Sequence, residues 1–188
     1  MEAINSGKEV VVVLDSGGDI VANELQLSNG QQLLGAGSTG SVTVVFQDGH
    51  STTIDSLGGR PEIRNDLSGI TISINDNNRI EGISIVTTSE EPGDPSITGS
   101  DISNITLHDL IIESGNRGIS LTNVANLTVS NCSITAFSNS ITINAPQGQT
   151  NLSNISSDSP DSGKIAINNN GGELTLSDIY LNLSLIHI

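Results

Sequence analysis

The chain is poor in aromatic and basic residues. Aromatic side chains make up 2% of its 188 residues, and lysine and arginine number 6 against 21 aspartate and glutamate, for a formal net charge of −15. Because neutralising a nucleic-acid backbone requires clustered basic side chains, this charge excludes a basic nucleic-acid-binding protein. The longest apolar run, residues 10–14, has five residues. A membrane-spanning helix needs roughly 18, so we expect no membrane insertion by this segment.

Other scarcities bear on compartment and fold. The single cysteine, Cys132, excludes an intrachain disulfide, and alanine, glutamate and lysine are too few for a helical bundle. Serine, asparagine and threonine are abundant instead, and β-branched residues recur along the chain, which argues against disorder. The first ten residues, MEAINSGKEV, resemble no signal peptide. An acidic, cysteine-poor chain of this kind is typical of bacterial surface proteins, so we expect an extracellular or cell-surface location.

An internal repeat dominates the sequence. Residues 104–114 (NITLHDLIIES) and 126–136 (NLTVSNCSITA) match at a spacing of 22 residues, and the segments that begin at Gly118 and Ser140 differ by the same number. Within each copy, apolar residues alternate with polar ones, which is a strand period. A repeat of this length, without a helix-length segment, predicts a solenoid whose coils contain three short strands and three turns.

One turn of the repeat carries small or polar residues in every copy. A tight turn at this position needs residues that tolerate a left-handed backbone, and stacked amides can hydrogen-bond one another along the column. The sequence therefore predicts a structural turn ladder made of five residues, Gly82, Asp109, Asn131, Asn154 and Asp178.

On these residues the chain resembles the right-handed, single-stranded parallel β-helices of the pectate-lyase-like superfamily. Residues 25–38 (LQLSNGQQLLGAGS), followed by GGRPEI and NNRIEGISI, resemble in particular the early coils of bacterial surface adhesins and autotransporter passengers. The resemblance covers roughly residues 7–182. It implies an all-β solenoid of about seven coils, and it is specific for fold rather than for function.

The sequence suggests one β-helix domain over residues 1–182. Residues 1–6 could be the remnant of an N-terminal cap, and residues 183–188 (LSLIHI) resemble a translated sequencing adapter, so they are expected to be non-native. No amphipathic cap follows Leu181. We therefore expect the solenoid to be truncated at its C-terminal end.

The outward positions of the repeat show no catalytic constellation. Most carry small hydroxyl residues, and no stacked carboxylate pair or carboxylate–arginine set is visible, as glycoside hydrolysis or β-elimination would require. Arg60 and Arg64 in GGRPEIR lack the spacing of the pectate lyase element, and we expect them to be solvated or paired with Glu62 and Asp66. Cys132 lies on an inward column, where a buried apolar thiol explains it. His50 is expected to be a surface residue.

Two further groups have a chemical alternative. Glu81 and His108 occupy equivalent positions one coil apart and could form an acid–base dyad, although a surface ion pair is the preferred interpretation. Glu90, Glu91 and Asp94 are weak candidates for a calcium site, against a solvated acidic loop. No other cofactor is expected.

The preferred functional hypothesis is a non-catalytic module of a bacterial surface or secreted protein, serving in adhesion or as a stalk. Its partner would be a host or matrix surface ligand, with carbohydrate among the candidates. The alternative is a fragment of a polysaccharide lyase, hydrolase or epimerase whose catalytic coils are missing. Ice binding by a threonine column is a third hypothesis, weakened because Asn151 interrupts the series formed by Thr106, Thr128 and Thr175.

Overall fold

The computed structural model describes residues 9–15, 20–22, 24–37, 39–45, 50–55, 58–88, 94–159, 164–168 and 171–183. Every regular element in these residues is a β-strand, and the chain order is β1 (Val10–Val13), β2 (Ile20–Val21), β3 (Leu25–Gln26), β4 (Gln32–Gly35), β5 (Val42–Val45), β6 (Ser51–Ile54), β7 (Glu62–Asn65), β8 (Ile72–Ser73), β9 (Arg79–Glu81), β10 (Ser84–Thr87), β11 (Pro95–His108), β12 (Ile111–Ser114), β13 (Arg117–Ala136), β14 (Asn139–Asn144), β15 (Gln147–Ser159), β16 (Lys164–Asn168) and β17 (Glu173–Leu183).

Parallel pairing arranges these strands in three ladders that run along one axis. Ladder A contains β1, β4 and β9, followed by segments of β11, β13, β15 and β17. Ladder B contains β2, β7, β10 and β12, followed by later segments of β13, β15 and β17. Ladder C contains β3, β8, segments of β11 and β13, and then β14 and β16.

The chain is thus an all-β parallel β-solenoid, as the repeat predicted. The described residues form six complete turns of three strands, and the two halves of β17 add rungs of a seventh to ladders A and B. Leu183, which was expected to belong to a non-native tail, is the last residue of β17 and pairs with Ser159 in ladder B. Residues 1–6 and 184–188 lie outside the described part of the chain.

Aliphatic side chains stack inside the solenoid. In ladder A the inward column includes Leu33, Ile80, Leu107 and Val129, all fully buried and paired in consecutive turns. Each rung is only about 4.8 Å thick, so one turn cannot bury its own side chains and depends on its neighbours. Leu176 of β17, which no further described turn covers, is 52% exposed.

The hairpin of β5 and β6 is an excursion that the repeat did not predict. It is the one antiparallel pair among the described strands, with Thr43 opposite Thr53. Val42 and Val44 are buried against Leu34, whose side chain points outward from ladder A, and form a second, smaller core there. The hairpin therefore covers part of the outer face of ladder A, and the segment that leads into β5 provides one wall of the groove described below.

Candidate functional site

The turn between ladders A and B repeats along the solenoid. The five residues of the first turn ladder all have positive φ angles: Gly82 (69°), Asp109 (49°), Asn131 (54°), Asn154 (49°) and Asp178 (52°). A left-handed backbone costs most side chains about 1–2 kcal/mol, while glycine, asparagine and aspartate adopt it routinely. The turn geometry explains the residue types in this column.

Side-chain amides connect neighbouring turns of this ladder. Asn154 donates a hydrogen bond from Nδ2 to Oδ1 of Asn131, over 2.8 Å. Asn131 in turn directs its Nδ2 towards Nε2 of His108, at 3.5 Å. The amides therefore point in one direction along the axis, from later turns towards earlier ones.

Glycine is required at the start of the ladder by close backbone approach. A Cβ atom added to Gly82 would collide with the carbonyl oxygen of Gly35 and lie 2.8 Å from the amide nitrogen of Gly37. Gly37 itself donates to the carbonyl oxygen of Gly82 over 2.8 Å. This contact seats the chain segment before the hairpin directly on the turn ladder.

A groove of about 520 Å³ opens where the hairpin segment meets the turn ladder. The segment before β5 contributes Thr39 and Ser41, and the solenoid contributes the rest of the lining. The full lining comprises Gly35, Ala36, Thr39, Ser41, Glu81, Gly82, His108, Asp109, Asn131 and Asn154. We refer to this feature as the polar groove.

Both carboxylates of the polar groove are held in ion pairs. Arg60 contacts Asp109 twice: its Nη2 lies 2.7 Å from Oδ1, and its Nη1 donates to the backbone carbonyl. Arg79 donates to Oε2 of Glu81 through Nε, over 2.8 Å, and also through Nη2. The groove is therefore polar, and its charges are compensated by arginines of the chain itself.

His108 contacts neighbouring polar side chains rather than Glu81. Its Nδ1 lies 2.8 Å from Oγ of Ser130, and its Nε2 faces the amide of Asn131. Glu81 and His108 do occupy adjacent rungs of ladder A, but among the described residues no ion pair joins them. Because Nε2 faces an amide donor, the arrangement fits the tautomer whose proton is on Nδ1.

The two arginines of the GGRPEIR segment have different partners. Arg64 pairs with Asp66, at 2.6 Å, and with Glu62, at 3.5 Å. These carboxylates raise the pKa of Arg64, and the hydrogen bond that Arg64 donates to Asp66 contributes most. Arg60 pairs instead with Asp109, which is 49 residues away in sequence. Only the fold brings this second pair together, so spacing along the chain could not reveal it.

Cys132 is buried inside the solenoid, directly after Asn131 of the first turn ladder. Its side chain is 3% exposed, and its Sγ lies 3.2 Å from the carbonyl oxygen of Ser130. Burial raises the pKa of this thiol to about 12. A nucleophilic cysteine requires a lowered pKa and access to solvent, so the geometry gives Cys132 a structural role in the core.

The candidate calcium residues are only partly within the described chain. Glu90 and Glu91 lie outside it. The Oδ2 atom of Asp94 accepts a hydrogen bond from the backbone nitrogen of Gly69, over 2.7 Å. Across the described residues, no group of three or more His, Cys, Asp or Glu side chains is placed to hold a metal ion. His50 is exposed, just before β6.

A second turn ladder, between ladders C and A, was not predicted. Asn104 donates to Asn77 over 2.9 Å, and Asn126 donates to Asn104 over 3.0 Å. All three have φ angles between 57° and 58°. The signal was present in the sequence, since Asn104 and Asn126 begin the two best copies of the repeat. Both residues also begin N-x-S/T triplets, and their place in the second turn ladder gives a structural reason for the asparagine at these positions.

A third, shorter turn ladder lies between the strands of ladder C and the second turn ladder. Asn123 donates to Oδ1 of Asp101 over 2.9 Å, and both residues have positive φ angles. This hydrogen bond, together with one from Ser100, lowers the pKa of Asp101.

The outward face of ladder A carries the column formed by Thr106, Thr128, Asn151 and Thr175. Each of these residues is paired in register with the next one.

Comparison with known proteins gave no match: no family model fits the sequence, and no curated protein or solved structure is significantly similar to the chain. Within the described residues, no helix is long and apolar enough to cross a membrane.

Proposed function

We propose that the chain is a non-catalytic module of a bacterial cell-surface or secreted protein, a right-handed β-helix that serves in adhesion or as a stalk. The observation that carries this proposal is the outward face of ladder A. From β11 onwards it presents hydroxyl, amide and imidazole groups in register, among them Thr106, Thr128, Ser130 and Ser153. A repeating uncharged polar face is suited to many weak contacts with an extended surface.

The internal construction supports a mechanical role. Six turns at about 4.8 Å each make a rod about 30 Å long, with a continuous aliphatic core and amide ladders at its turns. The charge of −15 keeps such a rod soluble and repels other acidic molecules. Stiffness and solubility are the properties a stalk requires.

The charged groups of the polar groove also favour a binding role over catalysis. Glu81 is tied to Arg79, and Asp109 to Arg60. A general acid or base must exchange protons with a substrate during the reaction. Carboxylates whose oxygens already accept from guanidinium groups are placed to hold the structure together.

Adhesion can be measured with polystyrene beads that carry the full chain. We expect the beads to be retained under flow on glass coated with mucin, collagen or peptidoglycan, more than beads coated with serum albumin. Thr128→Glu places a charge on the outer face of ladder A and should reduce retention severalfold. Thr122→Glu places the same charge on ladder C of the same strand, β13, and is the matched control.

A parallel assay addresses catalysis. The full chain is incubated with polygalacturonate and alginate, and unsaturated products are followed by ultraviolet absorbance. Retention without product formation is the expected result. Steady product release, abolished by substitution of Glu81 or His108, would replace the adhesion proposal with the lyase alternative.

A further inference from the structure

We propose that the polar groove binds a neutral saccharide, and that it discriminates against acidic ones. The inference deepens the proposed function, on which it rests, by assigning a ligand class to one site on the module. It is carried by the compensated charges of the groove, by its uncharged donors and acceptors, and by its shape.

Charge compensation excludes ionic ligands. The described residues contain four arginines, and two of them, Arg60 and Arg79, neutralise the carboxylates of this groove. Among the described residues that line the groove, an acidic saccharide would meet Glu81 and Asp109 without an uncommitted cation, and it would also face the net charge of −15. A metal ion or a cationic ligand would have to displace a guanidinium group from its partner. An uncharged ligand avoids both costs.

Uncharged hydrogen-bonding groups line the remaining surface. Ser41 and Thr39 contribute hydroxyls from the segment before β5, and Asn131 and Asn154 contribute amides from the turn ladder. Asn154 donates a hydrogen bond from its Nδ2 to Asn131. The Oδ1 atom of Asn154 therefore points away from that bond and can act as an acceptor. A sugar hydroxyl donates and accepts at once, so it can bridge an amide oxygen and a serine hydroxyl.

The dimensions also suit a short saccharide. The volume of about 520 Å³ falls within the ~300–1,000 Å³ of typical small-molecule sites. The ladder residues follow one another at about 4.8 Å along the axis, a step comparable with the length of a pyranose ring. Among the described residues that line the groove there is no phenylalanine, tyrosine or tryptophan, so selectivity comes mainly from hydrogen bonds rather than from stacking on a large aromatic ring.

The test is an NMR titration of the ¹⁵N-labelled full chain. The probes are maltopentaose, cellopentaose, xylopentaose and penta-N-acetylchitopentaose, with trigalacturonate as the acidic comparison. We expect at least one neutral pentasaccharide to shift the side-chain amide signals of Asn131 and Asn154 and to bind at least tenfold more tightly than trigalacturonate. Ser41→Ala removes one hydroxyl from the groove wall and should weaken binding by about threefold to tenfold.

Ser120→Ala is the matched control, because Ser120 lies on ladder C, away from the groove. It should leave the affinity unchanged. The proposal is overturned if no neutral pentasaccharide shifts the two amides at millimolar concentrations, if trigalacturonate binds as tightly, or if both alanine variants weaken binding equally. In each of these cases the groove assignment is refuted. Bead retention that persists would then leave the adhesion proposal standing.

Discussion

Asn154 donates a hydrogen bond to Asn131 across one complete turn of the solenoid, over 2.8 Å, and both residues have a left-handed backbone. Asparagine is suited to this position on two counts. Its short side chain tolerates the positive φ angle, and its amide carries both a donor and an acceptor, so one residue type can continue a ladder indefinitely.

Replacing Asn154 separates these two contributions. Asn154→Gly keeps the left-handed backbone but loses the hydrogen bond, and it should lower the free energy of unfolding by about 1 kcal/mol. Asn154→Ala loses the bond and also places an alanine at a φ of 49°, so it should cost about 1 kcal/mol more. Urea denaturation of the three proteins measures both differences. Equal stability of the alanine and glycine variants would show that backbone strain plays no part.

Asp178→Asn should stabilise the protein. Asp178 follows Asn154 in the first turn ladder, where an ionised carboxylate can only accept. An asparagine there can donate a hydrogen bond to Oδ1 of Asn154. This additional hydrogen bond between side-chain amides should raise the free energy of unfolding, measured by urea denaturation, by about 0.5–1.5 kcal/mol. Asp158→Asn is the control for charge alone, since Asp158 is exposed in ladder B. A gain no larger than that of the control would contradict the ladder mechanism.

Gly82→Ala should be far more damaging than Gly30→Ala. The two glycines have similar φ angles, 69° and 74°, but an added Cβ at Gly82 collides with backbone atoms of Gly35, while nothing lies within 4 Å of one at Gly30. Gly30→Ala should therefore cost only the backbone penalty of about 1 kcal/mol. Gly82→Ala should cost several times as much, measured by thermal unfolding. Similar losses would mean that the hairpin segment does not sit on this turn.

Arg60 should tolerate lysine poorly. Its guanidinium contacts both the carboxylate and the backbone carbonyl of Asp109, and a single ammonium group cannot reproduce that fork. Arg60→Lys should lower the free energy of unfolding by about 1–3 kcal/mol. Arg64→Lys, at an exposed pair with Asp66, should cost less stability than Arg60→Lys, because solvent screens an exposed pair. The reverse order in urea denaturation would argue against a structural Arg60–Asp109 pair.

The thiol of Cys132 should be inert in the folded protein. Its pKa is raised from an ordinary 9.0 to about 12, so at pH 8 an aromatic disulfide reagent should react only after denaturant is added. The unfolded thiol ionises above about pH 9 while the folded one keeps its proton. Because of this thiol, the free energy of unfolding keeps its full value below pH 9 and falls between pH 9 and 12, by up to about 1.4 kcal/mol per pH unit. Rapid labelling of the native chain would contradict the burial.

The repeat was sufficient to predict the fold class. Alternation of apolar residues at a spacing of 22 residues is a local property of the sequence, and the structure confirms the parallel solenoid that it implies. The hairpin of β5 and β6 was missed because it interrupts the period, and its core with Leu34 depends on an outward position of ladder A. Among the described strands, no other copy of the repeat contains an excursion of this kind.

The polar groove was harder to predict than the fold. Asn131 and Asn154 follow from the repeat, but Ser41 and Arg60 reach the groove from segments outside it. The ion pair between Arg60 and Asp109 spans 49 residues and two different turns. Such contacts depend on where an irregular segment lies on a regular scaffold, which periodicity does not encode.

Register-specific crosslinking tests the central claim most directly. Thr106 and Thr128 are paired in adjacent turns of ladder A, where the spacing of about 4.8 Å between strands suits a disulfide. With Cys132 replaced by alanine, the double variant Thr106→Cys, Thr128→Cys should oxidise rapidly to an intramolecular disulfide. The pair Thr106→Cys, Ser130→Cys, shifted by two residues, should oxidise slowly. Equal rates for the two pairs, or faster oxidation of the shifted one, would contradict the solenoid register on which the ladders and the polar groove depend.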